Sequence, residues 1–446
     1  MTREFGKSVL LALLVLLSLV LTWFIWTYQG DYESIDPNQS QDIPKIDMSY
    51  DLSEVIVPYL LIHKSPNAFN GSMQQSLVDN AIYKELLKAK WTIDVGTNNP
   101  PKQNGDSYEL LFSAPVTMDT INELFNFTQT KTRSHVDLLI DRLELYQDTS
   151  MNHSVLVFKD GDGDPRFYAT SGNLAFKKVK SWVEKANLMP YYRVNFNNKR
   201  AYLPAQRQKI DGYVYSYQTV SMDRFKPIFF NDPDKVSYDK KKQVYSNESS
   251  LLESYNDILK YVNLSATSSD KAMPSDPIIQ SYNFIESHQG WTDDYMYFGL
   301  DKNLVNGENG KADSTVTFRL SEGGLPVFNT NLGDKATITM TWMNGQTSPQ
   351  KVTRTLLNVA DSSYQSNPED VPSAKEIVES LKAVNTPINR IENLVIGYRM
   401  ELDTGQHVVK YHPEWFLKKN GQWWSVSDYI KNANRNPVID KEEAAS

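Results

Sequence analysis

Cysteine is absent from all 446 residues, which excludes thiol nucleophiles, disulfide staples and Cys-based zinc sites. Only six histidines occur. His407 and His412 are five apart with no His-Glu-x-x-His, so they read as surface or core residues and not as metal ligands. There is no Walker loop, dinucleotide fingerprint or nucleophile elbow. Ser268-Ser269-Asp270-Lys271 has the spacing of a penicillin-interacting serine and lysine, but it lies in a polar stretch without the partner motifs. Positive charge is also short. The formal net charge is −8, and residues 1–28 carry Arg3, Lys7 and Glu4, or +1, leaving −9 for the remainder. A surface that acidic argues against nucleic acid and against electrostatic docking on anionic lipid.

Long apolar runs are absent with one exception, Ser8 to Tyr28, which holds no charge over 21 residues. At a helical rise of about 1.5 Å per residue it spans roughly 31 Å, the thickness of a bilayer's hydrocarbon core. It is longer than a signal-peptide core and no A-x-A-like cleavage site follows, so it is expected to be an uncleaved transmembrane helix. Arg3 and Lys7 precede it and Asp31 and Glu33 follow, which places the N-terminus in the cytoplasm. Trp23, Trp26 and Tyr28 suit the far headgroup layer. The expected location is the cell membrane, single-pass, with everything after residue 30 extracellular. One helical stripe, Ser8, Ala12, Val15, Leu19, Thr22 and Trp26, alternates four and three residues and carries small side chains in its cytoplasmic half. It is the candidate seam for packing against partner helices.

The remainder is polar enough to bring the mean hydropathy to −0.49 despite that helix. It is also too long for one core. Aromatic residues, 12% with 25 Tyr, suit antiparallel sheets with one wet face. The expected fold is α+β: one transmembrane helix, then a multi-domain ectodomain of helices packed on antiparallel sheets, its last two domains similar to each other. The divisions are 1–30 for the cytoplasmic end and membrane helix, 31–50 for a stalk, 51–205, 206–310 and 311–435 for three α+β domains, and 436–446 for a polar tail.

Within the first domain, Val55-Ile56-Val57 reads as a strand. Met73 to Lys90 reads as a helix with Leu77, Ile82, Leu86 and Leu87 near one face. Val155–Phe158 and Arg166–Ala169 flank a Gly/Asp turn as a hairpin would. Tyr213, Tyr215 and Tyr217 alternate at strand period. Two later units each run from helix to antiparallel strands. In the first, Ser275 is expected to cap a helix with Pro277 in its first turn. In the second, Ser373 and Glu376 form a capping box ahead of Ile377, Leu381 and Val384. Between them Ala336, Ile338, Met340 and Trp342 alternate with threonines before Asn344-Gly345, a hairpin turn signal.

The sharpest candidate for chemistry is Asp160-Gly161-Asp162-Gly163-Asp164. Carboxylates at alternate positions suit a hard cation, and an Asp-x-Asp suits the metal of a sugar-nucleotide transferase. As a calcium loop it has Pro165 where glycine is needed and Ser171 where a bidentate glutamate is needed, so a polar hairpin tip is the plainer reading. Trp415-Phe416, Trp423-Trp424 and the tyrosine stripe read as packing before they read as a ligand groove. No catalytic constellation and no cofactor site is visible.

Several stretches resemble a known family. The basic N-terminus and Leu-rich helix run into Leu21-Thr22-Trp23-x-x-Trp26-Thr27-Tyr28-Gln29. Further along come Phe225-x-x-Ile228-Phe229-Phe230-x-Asp232-Pro233, Phe284-Ile285-x-x-His288-x-Gly290-Trp291-Thr292-Asp293, and Thr317-Phe318-Arg319 with Gly324-Leu325-Pro326-Val327-Phe328. Ile396-Gly397-Tyr398, Pro413-x-Trp415-Phe416 and Gly421-x-Trp423 complete the set. In this order they resemble the YycH (WalH) proteins of low-GC Gram-positive bacteria, over nearly the whole chain except residues 30–50. The resemblance implies a non-enzymatic accessory regulator, anchored beside the sensor histidine kinase WalK (YycG), often with the sister protein YycI, and tuning control of cell-wall metabolism. It implies a three-domain α+β ectodomain whose last two domains resemble the sister protein's. It supplies no catalytic residue, metal or cofactor. Two other readings follow from the residues alone: a type II metal-dependent glycosyltransferase using Asp160, Asp162 and Asp164, and an extracytoplasmic ligand-binding module.

Overall fold

The computed structural model describes residues 48–93, 99–128, 138–149, 153–196, 199–265, 276–288, 290–304, 312–329, 334–343, 345–360, 363 and 365–435. Residues 46–446 form one compact unit. Among the described residues no helix is long and apolar enough to cross a membrane. The expected transmembrane helix and its seam residues Ser8, Ala12, Val15, Leu19, Thr22 and Trp26 lie outside them, as does most of the expected stalk.

A first sheet of ten strands occupies residues 58–204. At its centre Gln103–Thr117 pairs antiparallel with Pro58–Ser65 on one side and Leu139–Asp148 on the other. The 139–148 strand continues into Ser154–Lys159 and Pro165–Ser171 through the anticipated hairpin. One face carries Leu110, Leu143, Leu145, Leu156 and Phe158, all nearly inaccessible, beneath the helices Met118–Leu124 and Phe176–Lys185. Leu77, Ile82 and Leu86 are buried as expected, but their helix is not continuous: Gln75–Leu77 and Lys84–Lys88 flank a π-helical stretch, Val78–Tyr83. The wider turn brings Asp79 inside with them.

Val55-Ile56-Val57 is not a strand. Leu52–Val55 is one helical turn, fixed because the Glu54 carboxylate accepts the Asp51 N–H at 3.0 Å. This local cap outweighs the β preference of two valines and an isoleucine, and Val55 and Ile56 are buried all the same.

A second sheet of fifteen strands contains the described strands after residue 206. One part runs through Ser250–Tyr255, Ile258–Asn263, Lys351–Thr355, Thr337–Met343 and Ala312–Glu322, the last also pairing with Tyr295–Leu304. The other pairs Asn393–Asp403 with Val408–Lys419, and Gln208–Thr219 with both Val408–Lys419 and Gln365–Val371. The short strand Leu325–Phe328 joins them, antiparallel to 312–322 and parallel to 393–403. The strands 295–304 and 312–322, on either side of residue 310, form one antiparallel pair, and 208–219 lies with the C-terminal strands. The 337–343 and 351–355 strands do form a hairpin, but over a connection of several residues in place of a two-residue Asn344-Gly345 turn. Gly345 takes φ +76° within it.

Helix Ala374–Ala383 begins with the anticipated reciprocal capping box of Ser373 and Glu376. Helix Pro277–Ser287 has Pro277 in its first turn, but its N-cap is Asp276 and not Ser275: the Asp276 carboxylate accepts the Ile278 and Ile279 N–H groups at 2.8 and 3.3 Å.

Candidate interaction site

The described chain starts on the middle part of the molecule. Met48 bridges antiparallel to Trp291. The Ser49 hydroxyl and the Tyr50 N–H both donate to the Glu286 carboxylate, the latter at 3.2 Å, and Trp291 Nε1 donates to it at 2.9 Å. Tyr282 on the same helix donates to the Tyr50 carbonyl at 2.7 Å, and the Tyr50 hydroxyl donates to Asp294 at 2.7 Å. Four polar contacts thus fasten residues 49–50 to helix 277–287 and the segment after it. The first sheet is held to the same helix. Thr117 and Thr120, at the start of helix 118–124, donate their hydroxyls to the buried Asp276, the second at 2.9 Å. Tyr297 donates to the Pro115 carbonyl at 2.5 Å.

Behind this joint, Gly290-Trp291-Thr292-Asp293 is explained residue by residue. Arg354 is buried and donates to the Gly290 carbonyl at 2.6 Å, with Thr292 Oγ1 at 3.4 Å and the Phe225 ring 4.7 Å away. Burial pushes the Arg354 pKa down. Asp293 accepts the Val359 N–H at 2.9 Å. Burial raises its carboxyl to about 8, although that N–H, Thr292 and Arg354 favour the ionised form. Trp291 is wholly buried, edge-on to Phe318.

The resemblance motifs from Thr317 onward meet at one place. Phe328 stacks on Phe416 with ring centroids 4.0 Å apart, and Phe298 and Trp423 close the cluster. Arg319 lies over Phe328 at 4.3 Å and donates to the Val327 carbonyl at 2.9 Å. Gly397 is needed because a Cβ there would collide with the Pro326 carbonyl and lie 2.8 Å from the Phe328 ring. Two cavities sit where the sheets meet. One of about 290 Å³ lies between the first sheet and the C-terminal strands, bordered by Phe196, Lys199, Phe298, Asp301 and Trp423. One of about 150 Å³ lies beside Tyr50 and Asp79.

Asp160–Asp164 is a folded hairpin tip. The Asp160 carboxylate pairs with Arg166 and accepts the Asp164 N–H at 2.9 Å, while Gly163 takes φ +81°. Among the described residues no group of His, Asp or Glu is placed to hold a metal ion. His412 pairs with Glu369 at 2.9 Å, and His407 occupies a turn at φ +54°. Tyr215, Tyr217, Trp415 and Phe416 are buried in the second sheet, and Tyr213 is half-buried against Tyr398. Ser268-Ser269-Asp270-Lys271 lies outside the described residues.

A charged network on the other face of the first sheet has no counterpart in the sequence reading. Glu144 receives Lys64 at 2.6 Å, Lys159, and the Ser107 hydroxyl at 2.7 Å. Glu109 accepts from Tyr202 at 2.8 Å with Arg142 at 3.8 Å, and Arg142 donates to the Gly161 and Arg200 carbonyls. Glu109 and Glu144 face each other directly across the strands, a pairing that two lysines and an arginine make tolerable.

The sheets, their joints and their buried polar contacts define a mixed α+β protein in which several sheet regions are fastened together around one helix. The chain belongs to the YycH family: the YycH protein N-terminal domain matches residues 4–180 and its C-terminal domain residues 198–434. The "Two-component system WalR/WalK regulatory protein YycH" of Bacillus subtilis (strain 168) is 20% identical, over 99% of this chain and 100% of that protein. The crystal structure of YycH from Bacillus subtilis superposes with a TM-score of 0.67 at 15% identity, covering 85% of this chain and 98% of that one. The mixed-sheet α+β fold is therefore the YycH fold.

Proposed function

We propose that this chain is a non-enzymatic, single-pass membrane protein that regulates a WalR/WalK-type two-component system. The observation that carries this reading is similarity to such a regulator along essentially the full length of both chains, through both family domains. Its partners would be the WalK-type sensor histidine kinase and a YycI-type sister protein. Ser8 to Tyr28 would cross the membrane with the N-terminus inside.

A regulator shifts a kinase only if it binds one signalling state better than the other. Two parts of this chain suit that task. The stripe Ser8, Ala12, Val15, Leu19, Thr22 and Trp26 offers small residues for close helix packing in lipid. The fastening of Ser49 and Tyr50 to Glu286, Tyr282 and Asp294 gives the outer part a firm hold on the segment that follows the membrane helix. A partner that moved helix 277–287 would therefore pull on the stalk.

The test is association of the full-length chain with the kinase in a membrane two-hybrid assay. Association is expected, with a marked loss when Ser8 and Ala12 are replaced by leucine. No association, together with unchanged transcription under the kinase when the chain is deleted, would overturn the regulator reading.

A further inference from the structure

The cavity of about 290 Å³ lies where the first sheet, the middle strands and the C-terminal strands meet, and two breaks in strand pairing shape its wall. In the pair 295–304 with 312–322, Tyr297 faces Phe318 and Gly299 faces Thr317, so Phe298 is an extra residue on its strand. In the pair 103–117 with 139–148, Leu111 faces Arg142 and Val116 faces Ile140, so residues 112–115 stand opposite Asp141 alone. Bulges leave a residue outside the ladder and re-aim its side chain, and they gather next to functional sites. Both of these open on the same space, because Phe298, Gly299 and residues 113–115 all border the cavity. The Tyr297 hydroxyl, donating to the Pro115 carbonyl at 2.5 Å, ties one bulge to the other.

The opposite wall carries hydrogen-bond donors. Asn393, Lys418 and Trp423 are direct partners across three neighbouring strands, so their side chains share one face. Trp423 is half-buried with its ring 5.4 Å from that of Phe298, and its Nε1 donates to no described residue. Lys418, and Lys199 on the first-sheet side, form no ion pair among the described residues. Lys199 lies near enough to Asp141 to favour its ionised form without bonding to it. Acceptors are fewer. Glu392 is committed to the Gly421 N–H at 2.8 Å, the Asn393 carboxamide oxygen to the Leu394 N–H at 2.8 Å, and only the exposed Asp301 carboxylate is left over. In a chain of net charge −8, free cationic and indole donors around an aromatic wall reverse the general sign. They suit an anion with an apolar body. The volume stands at the lower end of small-molecule sites, which begin at about 300 Å³.

We infer that this cavity binds a small organic carboxylate, whose oxygens accept from Lys418, Lys199 and the Trp423 N–H while its apolar body lies against Phe298 and Trp423. Such an occupant links the first sheet, through Lys199, to the C-terminal strands, through Lys418. The inference stands apart from the regulator reading, since it rests on the bulges and the donors alone.

The experiment is calorimetric titration of the full-length chain in detergent micelles at pH 7.5 with sodium 3-phenylpropionate, against a blank of empty micelles. Parallel titrations use 3-phenylpropan-1-ol, 3-phenylpropylammonium chloride and sodium acetate, which lack the charge, reverse it, or lack the apolar body. The expected result is saturable binding of phenylpropionate, with each comparator weaker by about tenfold or more. Lys199 is exposed and Lys418 half-buried, so Lys199→Gln and Lys418→Gln keep the fold. Each should weaken binding about tenfold, the loss of one charge-assisted hydrogen bond. Trp423→Phe, which keeps a ring and removes the N–H, should weaken it several-fold. Absence of saturable heat, equal binding of any comparator, or unchanged affinity in either lysine variant would each overturn the assignment. The measurement reads binding directly, so its failure leaves the regulatory reading untouched.

Discussion

In the first sheet Arg142 lies beside Glu109, and Glu144 beside Lys64 and Lys159, so that buried charge meets opposite charge. In the second sheet Arg354 forms no ion pair among the described residues. It donates to a backbone carbonyl and a threonine and lies over Phe225, while the nearby Asp293 is held toward its neutral form. The Glu144 site balances charge with charge, and the Arg354 site replaces the counter-ion by carbonyl dipoles and an aromatic face. Removing one member leaves different things behind: an uncompensated charge in the first case, unfilled hydrogen-bond acceptors in the second.

That contrast orders the expected effects. Glu144→Ala leaves Lys64 and Lys159 without their shared acceptor, and it should cost about 3–5 kcal/mol in denaturant unfolding of the full-length chain. Arg354→Met keeps much of the volume and leaves only carbonyl and hydroxyl acceptors unpaired, so about 1–3 kcal/mol is expected in the same assay. Equal losses would erase the distinction between the two regions.

A further effect is a pH signature that differs in sign. Burial opposes ionisation of Glu144, but Lys159 and Lys64 outweigh it and hold its pKa at about 2, below the ordinary 4.5. Its contribution is present above pH 4.5 and is lost as pH falls toward 2. The Asp293 carboxyl is raised from 3.8 to about 8. Its contribution is full below pH 3.8 and is lost as pH rises through about 8. Asp293→Asn should therefore leave Tm unchanged near pH 4 and raise it by several degrees at pH 8. A Tm lowered equally at both values would show that Asp293 acts through its hydrogen bonds and not through its proton.

The helix caps and strand alternation of this fold were legible because their signals are local. Ser373 and Glu376 are three apart, and Ala336, Ile338, Met340 and Trp342 repeat at two. Local signals also misled where two competed: at Asp51–Val57 the cap favoured a helix and the β-branched residues a strand, and the cap prevailed. The N-cap is Asp276, directly before Pro277, and its other carboxylate oxygen is held by partners distant in sequence, Thr117 and Thr120. The Glu109–Glu144 network was hidden for the same reason. Glu144 lies between Leu143 and Leu145, and Glu109 between Tyr108 and Leu110, as solvent-facing residues would, and only the strand register together with Tyr202 from the 199–204 strand shows that this face is covered. The joint at Glu286 joins residues more than 230 positions apart, beyond any local pattern. Similarity to a family supplied what spacing did not: the order of short motifs, of which those from Thr317 onward gather around Arg319, Phe328 and Gly397.

The central claim is that the outer part of this chain acts on a two-component system through the segment fastened at Glu286. Its most direct test is transcription of the kinase's target genes in cells carrying no copy, the native chain, or Glu286→Ala at equal membrane abundance. Glu286→Ala, which removes the shared acceptor of Ser49, Tyr50 and Trp291, is expected to give the output of the deletion. Output equal to that of the native chain at matched abundance would contradict it.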